Sequence, residues 1–510
     1  MLRSPLASMC AALAGGLMLG ATGATADVLT VALDGSGDYT AIQEAIDASV
    51  DGDEILVAEG VYEEHLSLVG KAIDIVGRTD EPVVIIDGTE TGRVLHVRDV
   101  QKGECRIEGV VFTGGTAGDL GGGVRVDNAR IRMEACVIRG NTVHKTVGCA
   151  WCTGNRVRGG GMALHGGTNA TLVDCRFEEN VIQLSLVAYG ANGQARGGGL
   201  YVENAVVSMD ACRFLGNDAV AEDYPPNCAN CNWPATGVGG AICVAGGGDL
   251  TVTGTEILDS ELWGHKASYG LGAGVAVMGG SATFSQCLVR GNVSAIPPNC
   301  NCGPEKNWGG GFYVDEGGSL VVTQCDIASN AVSGTSNDLG SVLCVVDGTA
   351  ELASNTMCAN VGTAFEGAWI DAGGNVLTAI CCEGGDEIDS DQDGTCDVAD
   401  ECPLDPGKVV PGICGCGTPD LDSDADGVLD CNDLCPFDPT RIEPTPCGCG
   451  SAASSDLNGD LIVDPADLGI LLAFWRDAEA FPLADLNFDG QVNSLDLGLI
   501  LSHWGPCKQP

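Results

Sequence analysis

A repeat constrains this chain more than any other feature. A glycine cluster, a short apolar strand, a second short strand and a Cys-x-apolar triplet closing on Asn recur from about residue 110 to 360. The clearest copies run from Gly159-Gly160-Gly161-Met162 to Cys175, Phe177 and Asn180, and from Gly197-Gly198-Gly199-Leu200 to Cys212, Phe214 and Asn217. Weaker copies end at Cys136 and Asn141, Cys287 and Asn292, and Cys325 and Asn330. A unit this short cannot bury its apolar face alone and does so only by stacking on its neighbours, so the region reads as a solenoid.

Each unit carries three apolar pairs. Met162 and Leu164, Leu200 and Val202, and Phe312 and Val314 follow the glycines. Ile131 and Met133, Val207 and Met209, and Leu320 and Val322 precede the Cys. The third pair is the Cys itself and the residue two on. Period-two spacing marks strands with one face inward, and the break in parity before the Cys marks a tight corner. The fold class is therefore mainly β, a right-handed parallel β-helix with three strands per turn. Stacked Asn amides make a hydrogen-bonded ladder. The cysteines make an interior column of small apolar thiols, with disulfides between turns as the alternative, in surroundings that disfavour the thiolate a metal needs. At the open end, Thr40-Ala41-Ile42-Gln43 matches a capping box, and Ile42, Ala45 and Ile46 give an apolar face to a capping helix over 40–49.

Three turns carry inserts at the same corner, containing Cys149 and Cys152, Cys228 and Cys231, and Cys300 and Cys302. They read as long loops pinned by disulfides, with a metal or redox site as the alternative. Trp151, Trp233 and Trp308 sit on them. Such aromatics stack on sugar rings, serve a protein interface or pack on the flank.

The formal net charge is −46. That argues against nucleic acid or anionic membrane as partner, because phosphate contacts need Lys and Arg. Roughly half of the excess lies after about residue 383. At the other end, Arg3, the apolar stretch from Met9 to Leu19 and Ala24-Thr25-Ala26 read as a secretory signal over 1–26. No later segment reads as membrane-spanning. Loss of Cys10 with the signal leaves 26 of the 27 cysteines, an even number that fits disulfides in an exported chain.

The expected layout is a β-helix over 27–382, calcium repeats over 383–450 and a helical module over 451–510. Asp389, Asp391, Asp393, Asp397 and Asp400 recur thirty-three residues later as Asp422, Asp424, Asp426, Asp430 and Asp433. Carboxylates this dense repel one another, and Ca²⁺, which takes several oxygen ligands on a Gly-kinked loop, relieves them. The last module duplicates again: Asp456, Asn458, Asp460, Asp464 and Asp467, then Asp485, Asn487, Asp489, Asn493 and Asp496. These are positions 1, 3, 5, 9 and 12 of an EF-hand-type loop, each followed by an apolar helix. Leu461 replaces the loop Gly in the first copy.

These segments resemble known families. Asp34 to Ile46, with Gly60-Val61-Tyr62-Glu63-Glu64, resembles the opening of pectinesterase- and pectate-lyase-like (pectin-lyase-like) β-helix proteins. Gly239-Gly240-Ala241-Ile242 and Phe-x-x-Asn at 177–180 and 214–217 resemble repeats of polymorphic outer-membrane proteins. The paired Asp, Gln and Arg of the pectinesterase signature are not visible. The acidic repeats resemble thrombospondin type 3 calcium repeats. The last module resembles a type I dockerin, which implies a cohesin-like partner, although its recognition positions, Pro465-Ala466 and Ser494-Leu495, do not match each other. Together these imply a secreted, calcium-stabilised scaffold that binds a polysaccharide or a cell-surface ligand, without a catalytic residue. The alternative is a polysaccharide lyase or O-glycosyl hydrolase carried by the dockerin-like module. Asp174 and Asp210, at similar places in successive turns, and His265-Lys266 in a later corner are the residues such chemistry would draw on, but outward carboxylates on a solenoid are normally just solvated.

Overall fold

The structure, a computed structural model, describes residues 26–77, 83–149, 151–187, 191–223, 235–265, 269–295, 306–333, 338–378, 400–437, 439, 441–443, 455–487 and 489–506. The signal segment, Asp389 to Asp397, Trp233, and the Cys228/Cys231 and Cys300/Cys302 pairs lie outside these residues. The chain divides into two compact units, Met1–Cys381 and Cys382–Pro510.

The first unit is a stack of coils with every ladder parallel. Three sheets run its length among the described residues. Sheet A has twelve strands, sheet B eleven and sheet C ten. One coil shows the path: Met162–His165 in sheet C, Asn169–Val173 in sheet A, then Arg176–Glu178 in sheet B. Each pairs in register with its counterpart in the next coil, so Met162 meets Leu200, Ala170 meets Val207 and Phe177 meets Phe214. Inward residues therefore form continuous columns. The Phe177 and Phe214 rings stack in parallel with centroids 4.4 Å apart, and Met162, Leu164, Leu172, Leu200 and Val202 are fully buried.

Corners are turned by single residues in the left-handed region. Ala135, Asp174, Ala211, Gln286 and Gln324 lie at φ 48–55° just before the Cys position. This is the parity break seen in the sequence. L-residues rarely adopt such angles, so the stack must hold them there. Asp174 is such a corner residue, whereas Asp210 ends a strand and pairs with Val173. The two exposed carboxylates are thus offset by one residue and do not form a matched pair.

The Asn column lies at the next corner. Asn141 Nδ2 donates to Asn180 Oδ1 at 3.0 Å, and Asn180 Nδ2 to Asn217 Oδ1 at 2.9 Å. Asn292, Asn330 and Asn360 repeat the pattern. Each amide also donates to a carbonyl of the preceding coil, as Asn180 does to Ile138 at 2.8 Å. Ser260 interrupts the ladder and donates its backbone N–H to Asn292. Cys136, Cys175, Cys212, Cys287 and Cys325 are buried free thiols, with Thr255 in the place of a sixth, its hydroxyl accepting from Cys212 N–H.

Where they are described, the flanks of the inserts are strands, which form two further parallel sheets. Sheet D contains Thr142–Val147, Val181–Leu186, Asp218–Asp223 and Glu261–His265; sheet E contains Asn155–Arg158, Gly193–Arg196, Ala235–Val238, Tyr269–Leu271 and Lys306–Trp308. Central coils thus have five strands, not the three expected. The alternation in Ile182, Leu184 and Leu186 buries a second core with Val143, Ala219, Ala221 and Leu262. A disulfide joins Cys149 to Cys152 beyond the end of its sheet D strand.

The capping helix spans Ile42–Ala48 and buries Ile42, Ala45 and Ile46, but the expected Thr40–Gln43 capping box does not form. The Glu64 carboxylate takes its place and accepts from Ile42 N–H at 2.8 Å and Gln43 N–H at 2.9 Å. A carboxylate satisfies two orphan donors where a hydroxyl satisfies one.

Two outcomes follow. Asn180→Ala strands buried donors and acceptors on both neighbouring coils, and should lower stability by about 2 kcal/mol in denaturant unfolding. Asp218, beside the second core, has its carboxyl raised to about 6 by burial. The fold thus holds this proton more tightly than the unfolded chain, and the stability it contributes at low pH is lost as pH rises from about 4 to about 6. Asp218→Asn should therefore raise the unfolding free energy above about pH 6.5, by roughly 2 kcal/mol at most, and leave it little changed near pH 4, as denaturant unfolding at the two pH values would show.

Candidate functional site

The second unit places most of the acidic positions read from the sequence. In the loop from Asp422 to Asp433, the Asp422 carboxylate accepts from Ala425 and Gly427 N–H at 2.7 and 3.0 Å, and Asp426 accepts from Val428 N–H at 2.8 Å. One carboxylate oxygen from each of Asp422, Asp424 and Asp426 comes within 4.8 Å of the others. Asp430 turns instead to Ser423, accepting from its N–H and hydroxyl. Asp400 and Asp433 hold equivalent places in the two repeats. Each is 5% exposed and spends one oxygen on the N–H of the Cys two residues on. The other oxygen of each, and Oδ2 of Asp424, is buried with no hydrogen-bond partner. Burial first, then the charges of Asp426, Asp433 and Asp422, push the Asp424 carboxyl above its ordinary value. Disulfides Cys402–Cys416 and Cys414–Cys431 tie the segment together, a pairing the sequence left open.

The two EF-hand-type loops are built alike. In the first, Asp456 accepts from Gly459 and Leu461 N–H at 2.8 and 2.9 Å, and Asp460 accepts from Ile462 N–H. Asp467 reaches back to Asn458 and Asp464 N–H. Carboxylate oxygens of Asp456, Asp460 and Asp467 converge within 4.8 Å. In the second loop, Asp485 accepts from Asp489 and Gly490 N–H, and Asp496 from Leu486, Asn487 and Asn493 N–H. Amides of Asn487 and Asn493 hold the Asp489 carboxyl below its ordinary value. Asp464 and Asn493 cap the helices Pro465–Ala473 and Ser494–Ser502, in capping boxes closed by Asp467 and Asp496. Leu471, Leu486, Val492 and Ile500 pack between them. The donors are all hard oxygens on short loops, and three of the buried ones lack a partner. This set suits a hard dication such as Ca²⁺ and not a soft metal.

A second constellation escaped the sequence reading. Sheet C presents outward the residues between its inward pairs. Along successive coils these are His96 and Arg98, Arg125 and Asp127, then Ala163 and His165. His96 Nε2 lies 2.7 Å from Asp127 Oδ2, and His165 Nε2 contacts Asp127 Oδ1. Arg125 Nε donates to Asp127 Oδ2 at 2.8 Å. The four side chains are 18–27% exposed. Burial alone would raise the Asp127 carboxyl, but the bonds from His165, His96 and Arg125 outweigh it and hold it well below the usual carboxylate range. Arg93 Nε and Nη2 donate to the carbonyls of Gly121 and Leu120, both at 2.7 Å. Burial and the like charge of Arg125 push its guanidinium down. The signal was available: five of the six outward positions in three consecutive coils are polar, and they become Cys243 and Ala245, then Ala276 and Met278, further along.

Beyond this cluster, sheet E residues cover the outer face of sheet C. Val238, Leu271 and partly buried Trp308 pack with Tyr201, Cys243, Ala276 and Tyr313. Arg196 is fully buried here; its Nη2 donates to Glu316 Oε1 at 3.1 Å. Burial pushes the Cys243 thiol up to about 12. Trp308 is thus a packing residue, whereas Trp151 is 63% exposed.

One local conflict gives a test. Leu461 sits at φ +72°, where the matching residue of the second loop is Gly490 at φ +82°. A side chain there stores strain of about 1 kcal/mol. Leu461→Gly should raise the calorimetric melting temperature of the C-terminal unit by a few degrees; an unchanged or lower value would show that the loop does not carry that strain.

The family model described as right handed beta helix region matches residues 91–365. No curated protein matches the chain. Among solved structures, pectin methylesterase from carrot is similar at 14% identity and TM-score 0.32, covering 69% of this chain and 88% of that one. Pectin methylesterase from Aspergillus niger is similar at 15% identity and TM-score 0.28, covering 70% and 90%. The A-module of mannuronan C-5 epimerase AlgE6 from Azotobacter vinelandii is similar at 14% identity and TM-score 0.22, covering 66% and 94%. No helix among the described residues is long and apolar enough to cross a membrane. With more than half of its length matched, this chain belongs to the right-handed β-helix family.

Proposed function

We propose that the protein is an exported, calcium-dependent modular scaffold. Its β-helix offers a lateral surface to a polysaccharide or cell-surface ligand. Its acidic C-terminal loops take up Ca²⁺ and form a docking end for a protein partner of cohesin type. The observation that carries this reading is the convergence of carboxylates with partnerless buried oxygens at Asp400, Asp424 and Asp433. Two unit charges within 4.8 Å repel by about 1 kcal/mol in water and by several-fold more where solvent is partly excluded. Folded loops of this density require a counter-ion.

Bound Ca²⁺ would supply charge neutralisation and several oxygen-coordination sites to each loop. Asp422, Asp424, Asp426 and Asp433 are the ligands proposed for the second acidic repeat. Asp389, Asp391, Asp393 and Asp400 are the equivalents in the first, and Asp397 and its counterpart Asp430 complete the two sets. Asp456, Asn458, Asp460, Asp464 and Asp467, and Asp485, Asn487, Asp489, Asn493 and Asp496, serve the two EF-hand-type loops. The helices follow from the same loops, because Asp467 and Asp496 act both as ligands and in the helix caps. Release of calcium therefore loosens the helices as well as the loops.

An enzymatic reading, in which the β-helix degrades a polysaccharide, has one observation in its favour: the histidines, arginine and aspartate gathered on sheet C. No reaction is assigned to them.

Calorimetric titration of the full chain with Ca²⁺ is expected to show saturable binding at several sites. Asp496→Ala should remove one of them and leave the β-helix melting transition unchanged. Chelation should enlarge the hydrodynamic radius through residues 386–506. Absence of binding heat, or a radius indifferent to chelator, would overturn the reading.

A further inference from the structure

We infer that the outer face of sheet C around His96, Arg125, Asp127 and His165 is an anion-binding site for carboxylate or sulfate groups carried on an extended chain. The charge distribution is the first argument. Residues 93–213 hold 14 of the 24 lysines and arginines of the chain but 11 of its 70 acidic residues. A protein of net charge −46 thus carries a locally basic stack of coils.

The second argument is the state of the basic groups. Arg93 is bound by the neutral carbonyls of Leu120 and Gly121, and its nearest carboxylate, Asp119, stands 3.9 Å away and 62% exposed. Its charge is therefore only partly offset. Asp127 is a single carboxylate shared by Arg125 and two imidazoles, so it cannot offset them all. Exposed Arg98 adds a further positive charge on the strand of His96. On the far side of His165, Arg158 and Glu203 pair with each other at 3.3 Å. The strand before His96 contributes Ser67 and Val69, which carry no charge. Nothing else charged faces the pair from these strands.

The third argument is orientation. Both rings turn Nε2 onto Asp127, that of His165 also lying 3.2 Å from Arg125 Nη2, and among the described residues no hydrogen bond occupies Nδ1 of either. Asp127 is then a positioning residue. Once a ring is protonated, its Nδ1–H is a charged donor at a partly open surface. The two rings sit on strands two coils apart, with the strand of Asp127 between them and His96 two residues out of register with His165, so they present these donors obliquely across the sheet at a backbone separation of roughly 12 Å. An extended chain with a charge on successive units matches this, and a small lone anion does not.

The test uses the full-length protein in EGTA, so that calcium held by the acidic tail cannot bridge to a polyanion. Polygalacturonate provides carboxylates, dextran sulfate provides sulfates, and neutral dextran is the control. One or both polyanions should bind, and which of them does identifies the group preferred. Dextran should not bind. Affinity should be higher near pH 5.5 than near pH 8, because each protonated imidazole adds a positive charge to this face. Arg93→Gln with His165→Gln should reduce binding about tenfold or more, with the melting temperature measured in parallel. His165→Lys, which keeps a permanent charge, should retain binding near pH 8 where the wild type loses it. No polyanion binding at either pH, equal binding of dextran, or undiminished binding by a folded double variant would overturn the proposal. Calcium titration of the same sample reports on the tail separately, so the two readings stand or fall apart.

Discussion

Stacking of coil on coil through parallel ladders is the interaction from which everything else in the first unit follows. A single coil has no interior. Only when Met162 meets Leu200 and Phe177 meets Phe214 does a core exist. That register must be specified, since a slip by one residue exchanges the inward and outward faces. The Asn column does this at one corner. A displaced coil would leave buried amides of Asn141, Asn180 and Asn217 without partners, a penalty borne in a dry interior. Left-handed residues at the corners are tolerated because the ladders on both sides hold them.

The same register organises the surface. Outward positions of sheet C become columns, and a column can change character along the axis without disturbing the core. Here it passes from His96, Arg125, Asp127 and His165 to the apolar contacts of Cys243, Ala276 and Met278 under sheet E. Glycines where backbones meet closely make this covering possible. A Cβ on Gly198 would stand 2.3 Å from the Gly240 carbonyl oxygen, and one on Gly160 2.4 Å from that of Gly198.

The solenoid, its three long sheets, the interior thiols and the Asn ladder were legible because each rests on a short-period pattern repeated several times. The five-stranded coils were not. Cysteines and tryptophans in the inserts drew attention to loops, and the alternation of Ile182, Leu184 and Leu186 in one strand was short enough to pass as part of them. The helix cap was misassigned because Glu64 lies twenty-two residues from the N–H it accepts from, beyond the reach of any local motif. The sheet C cluster was hidden for a related reason. Its members are separated by about thirty to forty residues, and only the register places His165 beside Asp127 and His96 beside Arg125. In the tail the reverse holds, since each loop is local and its carboxylates are neighbours in sequence.

The solenoid holds itself together by packing, and the tail is proposed to fold around bound cations. Amide hydrogen exchange along the whole chain, with calcium and with chelator, tests this most directly. Protection across the strands from Leu95 to Cys358 is expected to be the same in both conditions, while residues 400–433 and 456–503 lose protection in chelator. Protection of the tail that ignores chelation, or solenoid strands that open with it, would contradict the account.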